Sequence, residues 1–210
     1  MEVLSHRGYW KTAGEKNTRT AFARSFALGF GTETDVRDLQ GRLVISHDIP
    51  VEPAMGLESY LADLAQHPGG RLTQALNIKS DGLADALARQ MRECEHPWFV
   101  FDMSVPDMVQ HLRAGNPCFA RMSEYEAFPQ AFVGQIQGIW LDAFQSTWYS
   151  ADVIESLLGQ GLRVCVVSPE LHGRPNPEDL WRALRPLCDH PGLLLCTDLP
   201  EAARSLLRHA

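Results

Sequence analysis

Two acidic side chains, Glu33 and Asp35, stand one residue apart in the sequence. Alternate residues of an extended strand point to the same face, so both carboxylates would share one side of it. Like charges at that range repel each other, and burying either of them is costly unless a positive charge compensates. The pair therefore predicts either a solvated strand edge or a site for a divalent cation.

Two histidines flank this pair at the ends of apolar segments. His6 follows the first apolar segment of the chain, and after a turn at Gln40-Gly41 the residues Leu43–Ile45 lead back to His47. An imidazole with a pKa near neutrality can remove a proton from a nucleophile or give one to a leaving alkoxide. Carboxylates and imidazoles in this order predict a phosphoryl-transfer site.

These residues need a scaffold, and the chain has eight short segments that are typical of strands. The predicted strands are Val3–Leu4, Glu33–Val36, Gln74–Lys79, Trp98–Phe101, Cys118–Arg121, Gly138–Asp142, Arg163–Val167 and Leu193–Cys196. Predicted helices follow most of them: an apolar stripe from Ala21 to Leu28, Leu57–Ala65, Ala84–Cys94, a helix that starts at Pro106, Ala151–Leu158, Pro177–Leu187 and Pro200–Leu207. Strands that alternate with helices predict an α/β fold with a parallel sheet, either doubly wound or a (β/α)8 TIM barrel. The count of eight favours the closed barrel.

The composition is that of an ordinary globular chain. At 210 residues with 45% hydrophobic and 21% charged residues, one domain spanning residues 1–210 is expected. A net charge of −7 without a basic run argues against nucleic acid and against stable association with anionic membranes. We expect a cytoplasmic location, because Met1 lies too close to His6 for a signal peptide, and reduced cysteines, because their spacing indicates no metal site. The sequence carries no signal for the oligomeric state.

In a (β/α)8 barrel the active site lies at the carboxyl ends of the strands. The polar residues at these ends are His6, Arg7, Glu33, Asp35, His47, Asn77, Lys79, Asp102, Arg121, Glu124 and Asp142. Lys79 has an alternative role as the structural partner of a buried carboxylate, and Arg121, Glu124 and Asp142 could be ordinary ion-paired residues of the rim. The remaining histidines, which are His67, His96, His111, His172, His190 and His209, are assigned no role.

The order of the polar motifs resembles the glycerophosphodiester phosphodiesterase family. The resemblance rests on His6-Arg7-Gly8, Glu15–Thr18 with Ala21-Phe22, Glu33–Val36, Gly41, Leu43-Val44, His47-Asp48 and the late Thr197–Pro200. It covers the whole chain and is specific in the first quarter. It implies that His6 and His47 are the general acid and base, and that Arg7 contacts the phosphate. It also implies that a hydroxyl of the substrate is the nucleophile.

The resemblance further implies a divalent cation, Mg²⁺ or Ca²⁺, on Glu33 and Asp35. Members of the family typically carry Glu-x-Lys on the third strand, where this chain has Asn77-Ile78-Lys79. The amide oxygen of Asn77 can still coordinate a hard cation, and Asp102 at the end of the fourth strand is a candidate for the missing charge. An alternative is that Asp102 pairs with Lys79.

The expected function is metal-dependent hydrolysis of a small polar phosphodiester. Arg7, Lys79, Arg121, Glu124 and Asp142 are the candidate substrate-binding residues. Two alternatives are a phosphatidylinositol-type phospholipase C, which the lack of an evident exposed apolar stretch disfavours, and a barrel that binds phosphorylated ligands without turnover.

Overall fold

The computed structural model describes residues 1–67 and 71–208. His209, which was assigned no role, and residues 68–70 lie outside the described residues. The chain divides into two compact units, one of Met1–His6 with Phe119–Ala210 and the other of Arg7–Cys118.

Strands and helices alternate along most of the chain. The strands are β1 Glu2–His6, β2 Gly31–Leu39, β3 Arg42–Ile45, β4 Gln74–Ile78, β5 Trp98–Phe101, β6 Phe119–Met122, β7 Gly138–Leu141, β8 Arg163–Val167 and β9 Leu193–Thr197. The α-helices are α1 Arg19–Ala27, α2 Leu57–Ala65, α3 Ala84–Gln90, α4 Val105–Arg113, α5 Ala151–Gly159, α6 Pro177–Leu184 and α7 Pro200–Arg208. All eight predicted strands are present, and β3 is the predicted return segment that forms a hairpin with β2.

The unit Arg7–Cys118 is built on three parallel strands. β4 pairs with β2 on one side and with β5 on the other, while β3 runs antiparallel to β2. Every residue of β4 is buried, as expected for a parallel strand that is covered on both faces. An aromatic cluster of Phe22, Phe26 and Tyr60 joins α1 to α2, with ring centroids 4.7 Å apart between Phe22 and Tyr60.

The unit formed by Met1–His6 and Phe119–Ala210 contains five parallel strands. Their order is β1, β9, β8, β7, β6, and each pair is parallel. The runs Leu193–Cys196 and Val164–Val167 are buried throughout, which explains why these segments are continuously apolar. Their carboxyl ends therefore point in one direction within this unit.

The helix boundaries differ most from the sequence prediction at two places. α3 ends at Gln90 and not at Cys94, because Arg92 and Glu93 are exposed and offer no apolar face to bury beyond Met91. α6 ends at Leu184 and continues as a short 3-10 turn. Pro186 explains this change, since it has no N–H to donate to the helical ladder.

No helix in the described ranges 1–67 and 71–208 is both long and apolar enough to span a membrane.

Candidate functional site

Seven of the predicted site residues lie in the unit Arg7–Cys118, namely Arg7, Glu33, Asp35, His47, Asn77, Lys79 and Asp102. Glu33 and Asp35 lie on β2 and are almost completely buried, with 1% and 0% of their surface exposed. Buried carboxylates need compensation by positive charge or hydrogen bonds. The structure provides partners for both of them.

Asp35 lies between two cations of the chain. Arg7 Nε is 3.0 Å from Asp35 Oδ2, and Lys79 Nζ is 3.4 Å from Asp35 Oδ1. Asn17 Nδ2 also donates a hydrogen bond to Oδ2 at 2.8 Å. The geometry therefore agrees with the alternative in which Lys79 is the partner of a buried carboxylate.

The loop before α1 positions Arg7 and Asn17. Both residues have left-handed backbones, with φ of 56° and 57°, and Asn17 N–H donates to the Arg7 carbonyl at 2.9 Å. Arg7 N–H donates to the backbone carbonyl of Glu33 at 2.9 Å and to its carboxylate at 3.2 Å. Gly8 allows this loop to approach α1 closely, because an added Cβ would lie 2.9 Å from Ala21 Cβ.

Asn17 was missed as a site residue by the sequence prediction. Its neighbour Thr18 caps α1, where Thr18 Oγ1 accepts a hydrogen bond from Ala21 N–H. The amide of Asn17 instead bridges two residues of β2, since its Oδ1 accepts from Thr34 Oγ1 at 2.9 Å and its Nδ2 donates to Asp35. Its place in the Glu15–Thr18 motif was the signal that could have identified it.

Asn77 and Asp102 are direct neighbours. Asn77 Nδ2 donates a hydrogen bond to Asp102 Oδ2 at 3.2 Å. Asp102 is half-buried and directly follows β5. The contact between them was not anticipated, because the sequence analysis considered Asp102 only as a metal ligand or as a partner of Lys79.

The oxygen atoms of this cluster match what a hard cation requires. No group of three or more His, Cys, Asp or Glu side chains that could hold a metal ion occurs in the described part of the chain. However, Asn77 Oδ1 is buried and accepts no hydrogen bond from a described residue, and Asp35 Oδ1, also buried, faces the Lys79 ammonium at 3.4 Å without accepting a hydrogen bond from a described residue. Because Asp35 and Asn77 are register partners on β2 and β4, these two oxygens and the Glu33 carboxylate form a donor set that fits Mg²⁺ or Ca²⁺.

His47 is tied to β2 through its backbone neighbours. Ser46 N–H donates to the Asp35 carbonyl at 3.1 Å, and Arg37 Nε donates to the His47 carbonyl at 3.1 Å. The imidazole itself is 44% exposed and contacts Asp48, with Nδ1 and Oδ1 2.9 Å apart. The imidazole is therefore accessible, and its ion-pair partner is Asp48.

In the other unit, His6 is held by an aspartate. His6 Nδ1 is 2.7 Å from Asp198 Oδ1, and both side chains are 13% exposed. The backbone N–H of Asp198 donates to Glu170 Oε1 at 3.1 Å, which fixes the aspartate in turn. The sequence analysis assigned Asp198 no role, although its position just after β9 was a usable signal.

The remaining predicted residues of that unit each have a local partner. Arg121 Nε is 2.6 Å from Glu126 Oε2, and Asp142 Oδ1 is 2.6 Å from His172 Nε2. His172 was assigned no role from the sequence; it lies in a short 3-10 helix after β8. These ion pairs agree with the alternative of rim residues for Arg121 and Asp142.

Glu124 is held by the backbone of the loop after β7. Its two carboxylate oxygens accept hydrogen bonds from the N–H groups of Phe144, Gln145 and Ser146 at 2.9–3.1 Å. Desolvation raises the pKa of this carboxyl, but the hydrogen bonds from the loop outweigh it and lower the pKa to about 2. The Glu124 carboxyl is therefore ionised at neutral pH.

A groove of about 870 Å³ opens in the unit Arg7–Cys118. Its walls include Asn17, Ser46, Ile49, Val51 and Arg89. Ile49 and Val51 are 83% and 76% exposed and follow His47-Asp48 in the sequence. Two exposed apolar side chains therefore follow the accessible imidazole of His47 in the sequence.

Comparisons with known proteins define the fold. No family model matches the chain, and no curated protein matches it. A solved glycerophosphodiester phosphodiesterase from Parabacteroides distasonis is 18% identical with a TM-score of 0.69, over 98% of this chain and 96% of that one. A protein assigned as a glycerophosphoryl diester phosphodiesterase from Silicibacter pomeroyi is 15% identical with a TM-score of 0.73, over 99% and 93%.

A third similar structure is a Ca²⁺-dependent phosphatidylinositol-specific phospholipase C from Streptomyces antibioticus. It is 14% identical with a TM-score of 0.58, over 98% of this chain and 95% of that one. Similarity at these identities concerns the fold. The predicted fold class is thereby confirmed: the chain has the α/β, (β/α)8 TIM-barrel fold that these phosphodiesterases share.

Proposed function

We propose that this protein is a metal-dependent phosphodiesterase that hydrolyses a small polar phosphodiester of the glycerophosphodiester type. The observation that carries the proposal is the placement of Arg7 and Lys79 on the buried carboxylate of Asp35. Two fixed cations beside a set of oxygen donors suit a phosphodiester anion. A protein with a net charge of −7 needs such a local positive site to bind one.

Arg7 and Lys79 are proposed to bind the phosphate. Their side chains are 20% and 21% exposed, so that an anion can reach both of them. The guanidinium of Arg7 offers several N–H donors, and its ion pair with Asp35 is made through Nε. Glu33, Asp35 and Asn77 would hold Mg²⁺ or Ca²⁺, which would neutralise negative charge on the phosphoryl oxygens.

His6 and His47 are proposed to carry the proton transfers. A carboxylate at Nδ1 orients an imidazole, and Asp198 and Asp48 occupy that position for the two rings. One imidazole would remove the proton of the attacking hydroxyl and the other would protonate the leaving alkoxide. Arg121, Glu124 and Asp142 are engaged by other groups, and we propose that they shape the loops around the substrate.

A lipid substrate is a second candidate, favoured by one observation. Ile49 and Val51 expose an apolar surface directly after His47-Asp48, which the sequence analysis did not anticipate when it disfavoured a phospholipase. Large exposed apolar side chains next to a functional group are typical of sites that receive apolar ligands. The substrate could then be a phosphatidylinositol-type lipid.

The proposal is tested by measuring hydrolysis of bis(p-nitrophenyl) phosphate, glycerophosphocholine and phosphatidylinositol vesicles, with and without a chelator. His6→Ala and His47→Ala should each lower turnover by about 10²-fold or more, because each removes a proton-transfer step. His190→Ala is the matched control, since His190 is an exposed histidine outside both clusters. Near-parental rates in either variant would reject its catalytic role, and hydrolysis of the vesicles alone would favour the lipid substrate.

A further inference from the structure

The amide of Asn77 lies between two neighbouring strands. In the register of the sheet, Asn77 stands opposite Asp35 on β2 and opposite Phe101 on β5. Asp102 directly follows Phe101, and its carboxylate accepts the hydrogen bond from Asn77 Nδ2. Asp102 therefore lies on the β5 side of Asn77, and Asp35 lies on its β2 side.

The contact with Asp102 determines which way the Asn77 amide points. An ionised carboxylate only accepts hydrogen bonds, so the NH₂ group must face Asp102 and the oxygen must face away from it. Asn77 is only 7% exposed, and its Oδ1 accepts no hydrogen bond from any residue that the structure describes. A buried carbonyl oxygen without a partner is costly, and a cation on that oxygen would offset the cost.

The backbone holds Asp102 in an unusual conformation. Its φ of 68° lies in the left-handed region, which a residue other than glycine adopts only at a cost in free energy. Such a conformation persists where a side chain is needed at that place. Here the left-handed turn at the end of β5 accompanies the hydrogen bond from Asn77 to Asp102.

We propose that Asp102 is a positioning residue that keeps Asn77 Oδ1 turned toward the β2 carboxylates, where it completes the Mg²⁺ or Ca²⁺ site. This inference rests on the proposed function for the existence of the cation site. It assigns Asp102 a role different from a direct metal ligand and from a partner of Lys79. The oriented amide takes the place of a third carboxylate, so the site has one negative charge fewer than a site with three carboxylates.

The test is a double-mutant cycle on metal affinity, measured by calorimetric titration of the purified protein with CaCl₂ and MgCl₂. In the parent protein, Asp102→Asn should weaken cation binding by about 10- to 100-fold, as is usual when a residue that orients a ligand is lost. In the Asn77→Asp background the same change should have less than about a twofold effect, because both carboxylate oxygens of residue 77 can bind and no orientation is needed. Circular dichroism of each variant checks folding.

Asp81→Asn is the matched control for the loss of one negative charge. Asp81 is exposed near the end of β4 and contacts Ser104 at 3.0 Å. We expect this variant to keep the parental affinity within about twofold, because exposed charges at a distance are screened. An equal loss of affinity in Asp81→Asn and Asp102→Asn would overturn the positioning role.

Three further outcomes contradict the proposal. Equal weakening by Asp102→Asn in both backgrounds would make Asp102 a direct ligand. Unchanged affinity in the parental background would remove Asp102 from the site altogether. A parent protein that binds neither Ca²⁺ nor Mg²⁺ would overturn the positioning role of Asp102. The proposed phosphodiesterase activity is tested separately: hydrolysis of bis(p-nitrophenyl) phosphate in the presence of a chelator would support that activity and reject only its dependence on a metal.

Discussion

A single buried carboxylate, Asp35, holds together the positive groups of the cluster. It has no exposed surface, and it contacts Arg7, Lys79 and Asn17 at once. Such a residue does two things that can be measured separately. It balances the charge of two cations that would otherwise repel each other, and its Oδ1, which Lys79 approaches at 3.4 Å without a hydrogen bond, can turn to a bound cation.

Asp35→Asn should lower the free energy of unfolding by about 3 kcal/mol, because two cations would lose their buried partner. The measurement is urea denaturation in the presence of a chelator, so that metal binding does not contribute. Asp179→Asn is the control, since Asp179 forms an exposed ion pair with Arg182 at 2.9 Å. That variant should change the free energy by less than about 1 kcal/mol. Equal effects of the two substitutions would contradict the role of Asp35.

The sequence predicted the residues of the cluster better than their contacts. Glu33 and Asp35 were visible because a spacing of two residues has a direct meaning on a strand. Asn17 and Asp198 were not assigned a role, because their partners Asp35 and His6 lie 18 and 192 residues away in the chain. Local patterns contain no information on such pairings when only one sequence is read.

Within β7, the glycine at position 138 allows a close approach of neighbouring groups. A Cβ added there would lie 2.5 Å from the Arg163 carbonyl oxygen and 2.5 Å from Phe119 Cζ. Gly138→Ala should destabilise the protein by about 3 kcal/mol, since the adjacent strands cannot move apart without losing their ladder. The measurement is thermal or urea unfolding of the purified variant.

Gly159→Ala provides the matched control for Gly138→Ala. Gly159 is the last residue of α5, and a Cβ added there meets no atom within 4 Å. Alanine favours the helix over glycine, so this variant should gain up to about 1 kcal/mol. If neither substitution changed the free energy of unfolding, the result would contradict the close packing of β7 against β8 and Phe119.

The loop after β7 depends on Glu124 in a way that changes with pH. The hydrogen bonds from the loop lower the pKa of Glu124 from 4.5 to about 2 in the folded protein. A lowered pKa means that the ionised carboxylate stabilises the fold above pH 4.5 and that this contribution disappears as the pH falls toward about 2. Parent protein should therefore exceed Glu124→Gln in stability at neutral pH, and the difference should shrink in acid.

Urea denaturation over a pH series measures this difference. Glu155→Gln, an exposed position of α5, controls for the loss of one carboxylate. A stability difference between the parent and Glu124→Gln that stays constant from neutral pH to the acid limit of the folded protein would refute the role of the loop hydrogen bonds.

The sequence predicted which strands and helices exist more accurately than it predicted where they end. Strands such as Trp98–Phe101 and helices such as Leu57–Ala65 have periodic or continuous apolar patterns, and both were predicted with the boundaries that the structure has. The end of α3 at Gln90 could not be predicted, because it depends on where the buried face stops. Helix propensity alone allowed the helix to continue to Cys94.

The protein as a whole is an anion, and so is the proposed substrate. With a net charge of −7, the protein repels a phosphodiester over long distances. Salt screens this repulsion, because the Debye length falls to about 10 Å at roughly 0.1 M ionic strength. We expect kcat/KM for bis(p-nitrophenyl) phosphate to rise with added NaCl while kcat stays constant. A steady fall of kcat/KM would instead show that the local cations dominate the encounter.

Three of the five described residues other than glycine with positive φ, namely Arg7, Asn17 and Asp102, belong to the cluster around Asp35 and Asn77. Each of these backbones would relax if the side chain were removed, since the left-handed conformation costs about 1 kcal/mol with a side chain present. At these three positions the protein therefore keeps side chains that the site uses, although glycine would fit the backbone with less strain. Selection for heat resistance alone should enrich Asp102→Gly among survivors that have lost cation binding and turnover. Arg7→Gly and Asn17→Gly should not be enriched, because each would remove a partner of the buried Asp35 carboxylate and cost more than the backbone gains. Survivors with Asp102→Gly that keep both properties would show that this side chain is dispensable and that the backbone alone defines the site.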